Sequence, residues 1–408
     1  MKIVIAPDSF KGSLSAKVAA EAIETGIKRV YGDIEFVKVP MADGGEGTVE
    51  SMVDATGGEI VKVKVRDPVF REIEGFYGIL GDNKTAVIEM AAASGLTLLS
   101  KQERNPLETT TYGTGELITD ALDKGCKTII LGLGGSATND GGMGMAKALG
   151  VRFLNADGAE IDLGGGSLGE LSRINMSGID WRIKEAKFIA ACDVDNPLCG
   201  EKGASRVFGP QKGADAKMID VLDKNLLNYG KVIESTTGRS VINYPGAGAA
   251  GGLGAGVLTF LNAELKRGID IVIEAVELEQ KIKTADLVIT GEGMIDFQTA
   301  FGKTPYGVAG LAKKYNLPVI AIAGGVGKDA HTLYEKGFNS IFSIVDRPMS
   351  LEEAMANTYV LLQNTAERII RTLLINKAAA SPGGFVKKQV IKSRYAPLHC
   401  SPKQPGPD

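Results

Sequence analysis

"MKIVIAPDSFKGSLSAKVAAEAIETGIKRV", residues 1–30, reads as strand, loop and helix in turn. Lys2 to Ala6 is an apolar run of strand length, broken at Pro7. Ser13 or Ser15 can cap a helix running to about Val30, since Ala16, Val18, Ala19, Ala22, Ile23 and Ile27 recur at helical spacing. The unit then repeats. "IEFVKV" at 34–39 is a strand, "PMADGGEGT" at 40–48 a loop, and a helical pattern follows from about Glu46 to Ala55. A βαβα beginning marks a parallel sheet with helices on its faces.

The rhythm changes near residue 58. "EIVKVKVRDPVFREIEGFYGIL" (59–80) and "KTAVIEMA" (84–91) alternate with period two, as antiparallel strands do. Farther on come the short helix "GTGELITDALDKG" (113–125), the apolar run "AKFIAACDVDNPL" (186–198), and the loop "PGAGAAGGLGAG" (245–256) leading into an apolar helix. Strand–loop–helix order returns with "ADLVIT" (285–290), "GEGMIDFQTAFGKTP" (291–305) and "YGVAGLAKKYN" (306–316). Two more strands follow, "LPVIAIAGG" (317–325) and "NSIFSIVD" (339–346), then one long closing helix from Leu351. The expected fold is α/β. Residues 1–59 and 285–376 make a doubly wound, flavodoxin-like (Rossmann-like) parallel-sheet domain from both chain ends, and residues 60–284 an inserted second α/β domain. Residues 377–408 hold five of the fifteen prolines and no apolar periodicity, and read as a disordered extension or tail.

Composition narrows the chemistry. Charged residues make up 23% and hydrophobic residues 44%, as in ordinary globular proteins. Net charge is −3, and six Lys/Arg lie in the last 32 residues, so the body is acidic. Nucleic acid is therefore not the expected partner. The four cysteines make no CxxC or zinc spacing, and no apolar run nears the ~20 residues of a membrane span. Together with the absence of a leader pattern, this gives a cytoplasmic expectation. With only two histidines, the expected chemistry rests on carboxylates and lysines rather than on a Ser-His-Asp triad or a histidine acid/base.

Three loops fall where ligands bind in a doubly wound sheet, at the carboxyl ends of strands. They carry Asp8, Ser9 and Lys11; Asp43, Gly44, Gly45 and Glu46; and Glu292, Asp296, Gln298 and Lys303. Carboxylates for a divalent metal beside ammonium groups for phosphate suit phosphoryl transfer. Asp43, Glu292 and Asp296 are the candidate metal ligands. Residues 302–304, "GKT", end like a Walker A motif, but Phe297 replaces its first glycine, so this is no P-loop. In the insert, Gly134, Gly135, Ser136, Thr138, Asn139 and Asp140 form a glycine-rich loop, and Asp193 follows a strand at a cleft rim. Glu89 and Asp195 read as turn residues and Trp181 as packing. Gly132, Gly134 and Ala137 also fit a dinucleotide fingerprint with Asp157 downstream. That makes an NAD-dependent oxidoreductase using 132–157 the alternative. A non-catalytic sugar-acid binder is a third reading.

Taken together, "IAPDSFKGSLSA", "PMADGGEGT", "TYGTGELI", "GLGGSATNDGGMG", "CDVDNPL", "GAAGGLG" and "TGEGMIDFQTAFGKTPYGVA" resemble the bacterial glycerate kinase family (type I), in order, from residue 1 to about 375. The resemblance implies ATP-dependent phosphorylation of D-glycerate, usually to 2-phosphoglycerate, with the active site between two α/β domains. Magnesium is the expected metal, glycerate and ATP the small-molecule partners, and a monomer or homodimer the expected state. In this frame Lys11 neutralises phosphate or carboxylate charge. Asp193 is preferred as base and Asp296 as a metal- or phosphate-side group, with their reversal the alternative. The residues alone fit either hydroxyl of glycerate and leave adenine on either domain.

Overall fold

A computed structural model describes residues 1–300 and 302–379. Its strands are β1 (Lys2–Ile5), β2 (Glu35–Lys38), β3 (Glu59–Arg66), β4 (Glu72–Ile79), β5 (Thr85–Glu89), β6 (Thr128–Gly132), β7 (Arg152–Leu154), β8 (Arg173–Asn175), β9 (Lys187–Ala191), β10 (Glu264–Lys266), β11 (Leu287–Ile295), β12 (Val319–Val326) and β13 (Ser340–Ser343). They form a five-stranded sheet ordered β13-β12-β11-β1-β2, a six-stranded sheet ordered β10-β9-β6-β5-β4-β3, and the small β7-β8 pair.

The first sheet is parallel throughout, built from both chain ends. Its strands are buried on both faces, which is why they read as continuous apolar runs. Ile3, Ile5, Ile289, Ile320 and Ile322 pack against the helices Ala16–Lys28 and Thr358–Ala379. Val4, Val288, Ala321 and Ala323 face the other way, onto the helix Thr304–Lys314 and the segment 269–282. That second core also takes in Val87, Ile130 and Ile189, so it is shared with the six-stranded sheet. In the second sheet β3, β4 and β5 are antiparallel neighbours, while β5, β6, β9 and β10 run parallel.

Several local expectations shift. Ser15, not Ser13, caps the first helix, accepting the Val18 N–H. The second helix starts at Thr48, because Gly47 is left-handed (φ 85°) and ends the loop. The closing helix is two, Leu351–Ala356 and Thr358–Ala379, broken at Asn357. The latter runs through Ala379 into the segment read as tail, while residues 380–408 lie outside the described residues. Trp181 is 65% exposed and packs no core. The largest difference concerns β11, expected to end at Thr290. It continues to Ile295, with Met294 and Ile295 opposite Gly325 and Val326 of β12. Among the described residues no helix is long and apolar enough to cross a membrane.

Candidate active site

The first sheet reverses its winding direction between β1 and β11: β2 follows on one side, β12 and β13 on the other. A crevice opens outside the carboxyl ends at such a switch point. Asp8 stands there, its backbone N–H donating to the Gly291 carbonyl at 2.8 Å. Its side chain is 5% exposed, with Oδ1 accepting the Ser9 N–H at 2.6 Å and Oδ2 accepting the Thr304 hydroxyl at 2.7 Å. Burial, and then the Asp43 charge, push its pKa up to about 6. Lys11 Nζ lies 3.8 Å from Asp43 Oδ2. Glu292, also buried, accepts the Thr299 hydroxyl at 2.8 Å and faces Lys303 Nζ at 3.6 Å. Burial raises its pKa to about 7 against the pull of Lys303. Asp8, Ser9, Lys11, Asp43, Glu292 and Lys303 thus line one cavity of about 620 Å³. Glu46 is exposed, on an adjoining groove shared with Ser9 and Lys11.

The loop after β2 carries this group across to the second sheet. Gly44 is left-handed (φ +92°), and a Cβ there would fall 2.8 Å from Gly268 Cα and 3.1 Å from Ala191 Cβ. From the far side, a Cβ on Gly132 would sit 2.9 Å from the Gly44 carbonyl oxygen. Only bare backbone lets the two sheets' carboxyl ends meet this closely. Asp193, just past β9, projects into the junction. Its Oδ1 accepts the Gly268 N–H at 3.0 Å. The side chain keeps much of its surface open to solvent. Even so, the surrounding protein, and to a lesser degree Asp43, raise its pKa, with the Gly268 N–H opposing. Glu89 does more than turn a corner. From the end of β5 it accepts the Val49 N–H at 3.0 Å, at the first turn of the helix Thr48–Thr56, which packs on the same sheet, and burial pushes it up to about 7.

The glycine-rich loop divides in two. Gly134 and Gly135 are exposed, while Ser136, Thr138, Asn139 and Asp140 are buried. Asp140 accepts the Thr111 N–H (2.8 Å) and hydroxyl (2.9 Å) and the Gly142 and Gly144 N–H groups (3.1 Å each). It fastens loops together from a fully buried position. Thr138 and Asn139, both 0% exposed, lie in the same buried stretch, and Thr138 Oγ1 and Asn139 Oδ1 have no hydrogen-bond partner among the described residues. Behind the loop lies Lys212, buried, with its ammonium on Ser136 Oγ and the Thr138 carbonyl. Burial drives its pKa down to about 7, opposed by Asp140. The reading of the sequence missed Lys212, and no spacing around it signals a site. The nicotinamide alternative also loses its geometry. The fingerprint needs a helix directly after the glycine turn, whereas the next helix begins only at Met143, and Asp157 is an exposed turn residue.

The expected metal trio does not assemble. Glu292 and Asp296 are four residues apart along extended chain, roughly 13 Å. The Asp296 carboxylate instead accepts the Gln298 N–H at 2.8 Å, and Gln298 is exposed. Among the described residues no three His, Cys, Asp or Glu side chains gather closely enough to hold a metal. Asp8, Asp43 and Glu292 nevertheless offer oxygen donors on one cavity. That suits magnesium, which keeps several waters and takes only one or two carboxylates plus substrate phosphates.

A family model described as the glycerate kinase family matches residues 3–374. The chain belongs to the glycerate kinase family. It is 54% identical to the glycerate kinase of Bacillus subtilis (strain 168) over 92% of this chain and 99% of the relative. It is 52% identical to the glycerate 2-kinase of Escherichia coli (strain K12), over 92% and 98%. A crystal structure of a candidate glycerate kinase 2 from Salmonella typhimurium LT2 superposes with a TM-score of 0.86 at 50% identity, covering 92% of this chain and 99% of that one. The enzyme is thus a kinase with glycerate as acceptor, and the oxidoreductase and pure-binder readings fall away.

Proposed function

We propose that the enzyme uses ATP with magnesium to phosphorylate D-glycerate, giving 2-phosphoglycerate. The observation that carries this reading is the carboxylate–lysine group Asp8, Lys11, Asp43, Glu292 and Lys303 on one cavity, facing Asp193 across the loop 42–47. The name of the Escherichia coli relative supports the 2-position. A cytoplasmic setting, where nucleoside triphosphate is available, goes with it.

In this reading Lys11 and Lys303 neutralise phosphate charge, and the amides of Gly44, Gly134 and Gly135 orient the two anionic substrates, while the Gly45 N–H holds Asp43. Asp8, Asp43 and Glu292 would hold magnesium, directly or through water. Held there, magnesium would supply neutralisation of phosphate charge. Asp193 accepts the proton of the attacking hydroxyl: it stands at the junction beside Gly268 and Gly44, outside the cavity lined by the lysines, and is not tied up as a metal ligand. Asp296 stays at the outer rim, shaping the turn after β11. Orientation of two bound substrates across the junction of the two sheets supplies most of the rate. The test is ADP release on mixing enzyme, ATP, magnesium and D-glycerate, with phosphorus NMR of the product. Absence of ADP release sinks the reading; phosphate on the 3-hydroxyl corrects its position.

A further inference from the structure

We propose that the cavity above the carboxyl ends of β11, β12 and β13 is the nucleoside pocket, taking the purine and ribose of the donor nucleotide. This rests on the ATP-dependent reading above and assigns adenine to the five-stranded sheet.

The cavity has two unlike ends. One is the charged group already described. The other is walled by Ile344, Val345, Met349, Leu351 and Met355, from the segment after β13 and the helix Leu351–Ala356. Its floor is Gly293 and Gly324 on adjacent strands, with the Met294 thioether lying over Gly325 beside them. A planar ring can lie flat on such a floor. Met294 (50%), Val345 (40%), Leu351 (71%) and Met355 (37%) are exposed around it. Grouped apolar side chains left open to water beside a charged cleft mark a ligand surface. Glycerate is a three-carbon chain with a carboxylate and two hydroxyls, so it has no apolar face to offer them. A purine does. The volume, about 620 Å³, is also of nucleotide scale and far above what glycerate fills. With the base on this floor, the phosphates run toward Lys303 and Lys11, and the γ-phosphate arrives nearest Asp43. That leaves the junction with Gly134, Gly135 and Asp193 for the small acceptor.

Leu351→Asp tests the assignment. Leu351 is mostly exposed at the first turn of its helix, where an acid is tolerated, so the fold stands. The expected result is a rise of about tenfold or more in KM for ATP, the scale of one lost apolar contact plus a carboxylate set against the base. KM for glycerate stays within about twofold. Adenosine, which lacks phosphates, should inhibit the wild-type enzyme competitively against ATP and lose potency in the variant. Val345→Glu, on the segment after β13, should do the same. A wild-type enzyme that makes no phosphoglycerate from ATP would sink the proposed function, and this assignment with it. ATP-dependent wild-type activity with an unchanged KM for ATP in both variants, or with KM for glycerate raised instead, overturns the assignment alone.

Discussion

Lys212 Nζ donates to Ser136 Oγ and to the Thr138 carbonyl, each at 2.7 Å, from a side chain 1% exposed. A buried ammonium is costly unless paired, and the charge that acts on it, Asp140, is already engaged by five loop N–H and O–H donors. The Gly134–Ser136 turn is thus held from behind by an amine whose charged form opposes its own burial. Lys212→Met should slacken the turn and cut kcat/KM for glycerate at least about tenfold, since the exposed amides lose their fixed position. The pH dependence carries a sign. Folded Lys212 titrates near 7 and the unfolded side chain near 10.5. Between those values the unfolded chain binds more protons, so stability rises with pH, by roughly 1.4 kcal/mol per unit at the steepest. Denaturant titrations at pH 7 and 9 should show this rise in the wild type relative to Lys212→Met. Parallel curves would mean that Lys212 keeps its proton.

Glu89 predicts the opposite slope in a different window. Its pKa is about 7 folded and 4.5 unfolded. Between them the folded chain binds the extra proton, so stability falls as pH rises from about 4.5 to 7. Glu89→Gln keeps an oxygen for the Val49 N–H but removes the charge. Compared with wild type, the variant should gain relative stability over that interval, and the measure is the difference between their urea midpoints at pH 5 and 7.5. A constant difference would remove the buried charge from the account.

Gly268 controls whether the two sheets can meet. A Cβ there would fall 1.9 Å from the Asp43 carbonyl oxygen, while its N–H holds Asp193. Gly268→Ala should therefore displace the Asp43 loop and the Asp193 carboxylate together. A loss of roughly 1–3 kcal/mol in stability is expected from the overlap, with kcat/KM falling at least about tenfold. Activity and midpoint both within error of wild type would show that the loop yields freely.

These residues also mark where the sequence was legible. The first sheet was readable because strands buried on both faces become apolar runs ended by polar loops, as in Lys2–Ile5 followed by Asp8. The loops holding Lys11, Asp43 and Glu292 followed from that order. Three things were hidden. β11 runs on through Gly291, Glu292 and Gly293, residues of loop type held extended by pairing with β12, and this separates Glu292 from Asp296. Lys212 and Gly268 act through contacts with residues 136 and 43, far away in sequence, and no local pattern encodes such pairs. Glu89 looked like a turn acid because its partner, Val49, lies 40 residues earlier in the chain, on a helix that only the fold brings onto its sheet.

Asp193 and Asp296 give the last test, because they compete for one role. A base must reach the acceptor hydroxyl and be free to take its proton. Asp193 stands at the junction, with Oδ1 on the Gly268 N–H and Oδ2 directed near Gly44. Its raised pKa, caused first by desolvation, favours a proton acceptor over a permanently ionised ligand. Asp296 is roughly 13 Å along the chain from Glu292 and spends its carboxylate on the Gln298 N–H. Asp193→Asn keeps the size and the hydrogen bond to Gly268 but cannot accept a proton. It should lower kcat by about 10²–10⁴, the usual worth of a general base, with little change in either KM. Asp296→Asn should stay within about threefold of wild type, because an amide oxygen can accept the same turn N–H. Steady-state kinetics across a magnesium series checks both. A fully active Asp193→Asn enzyme removes it from proton transfer, and a kcat collapse confined to Asp296→Asn hands that role to the rim.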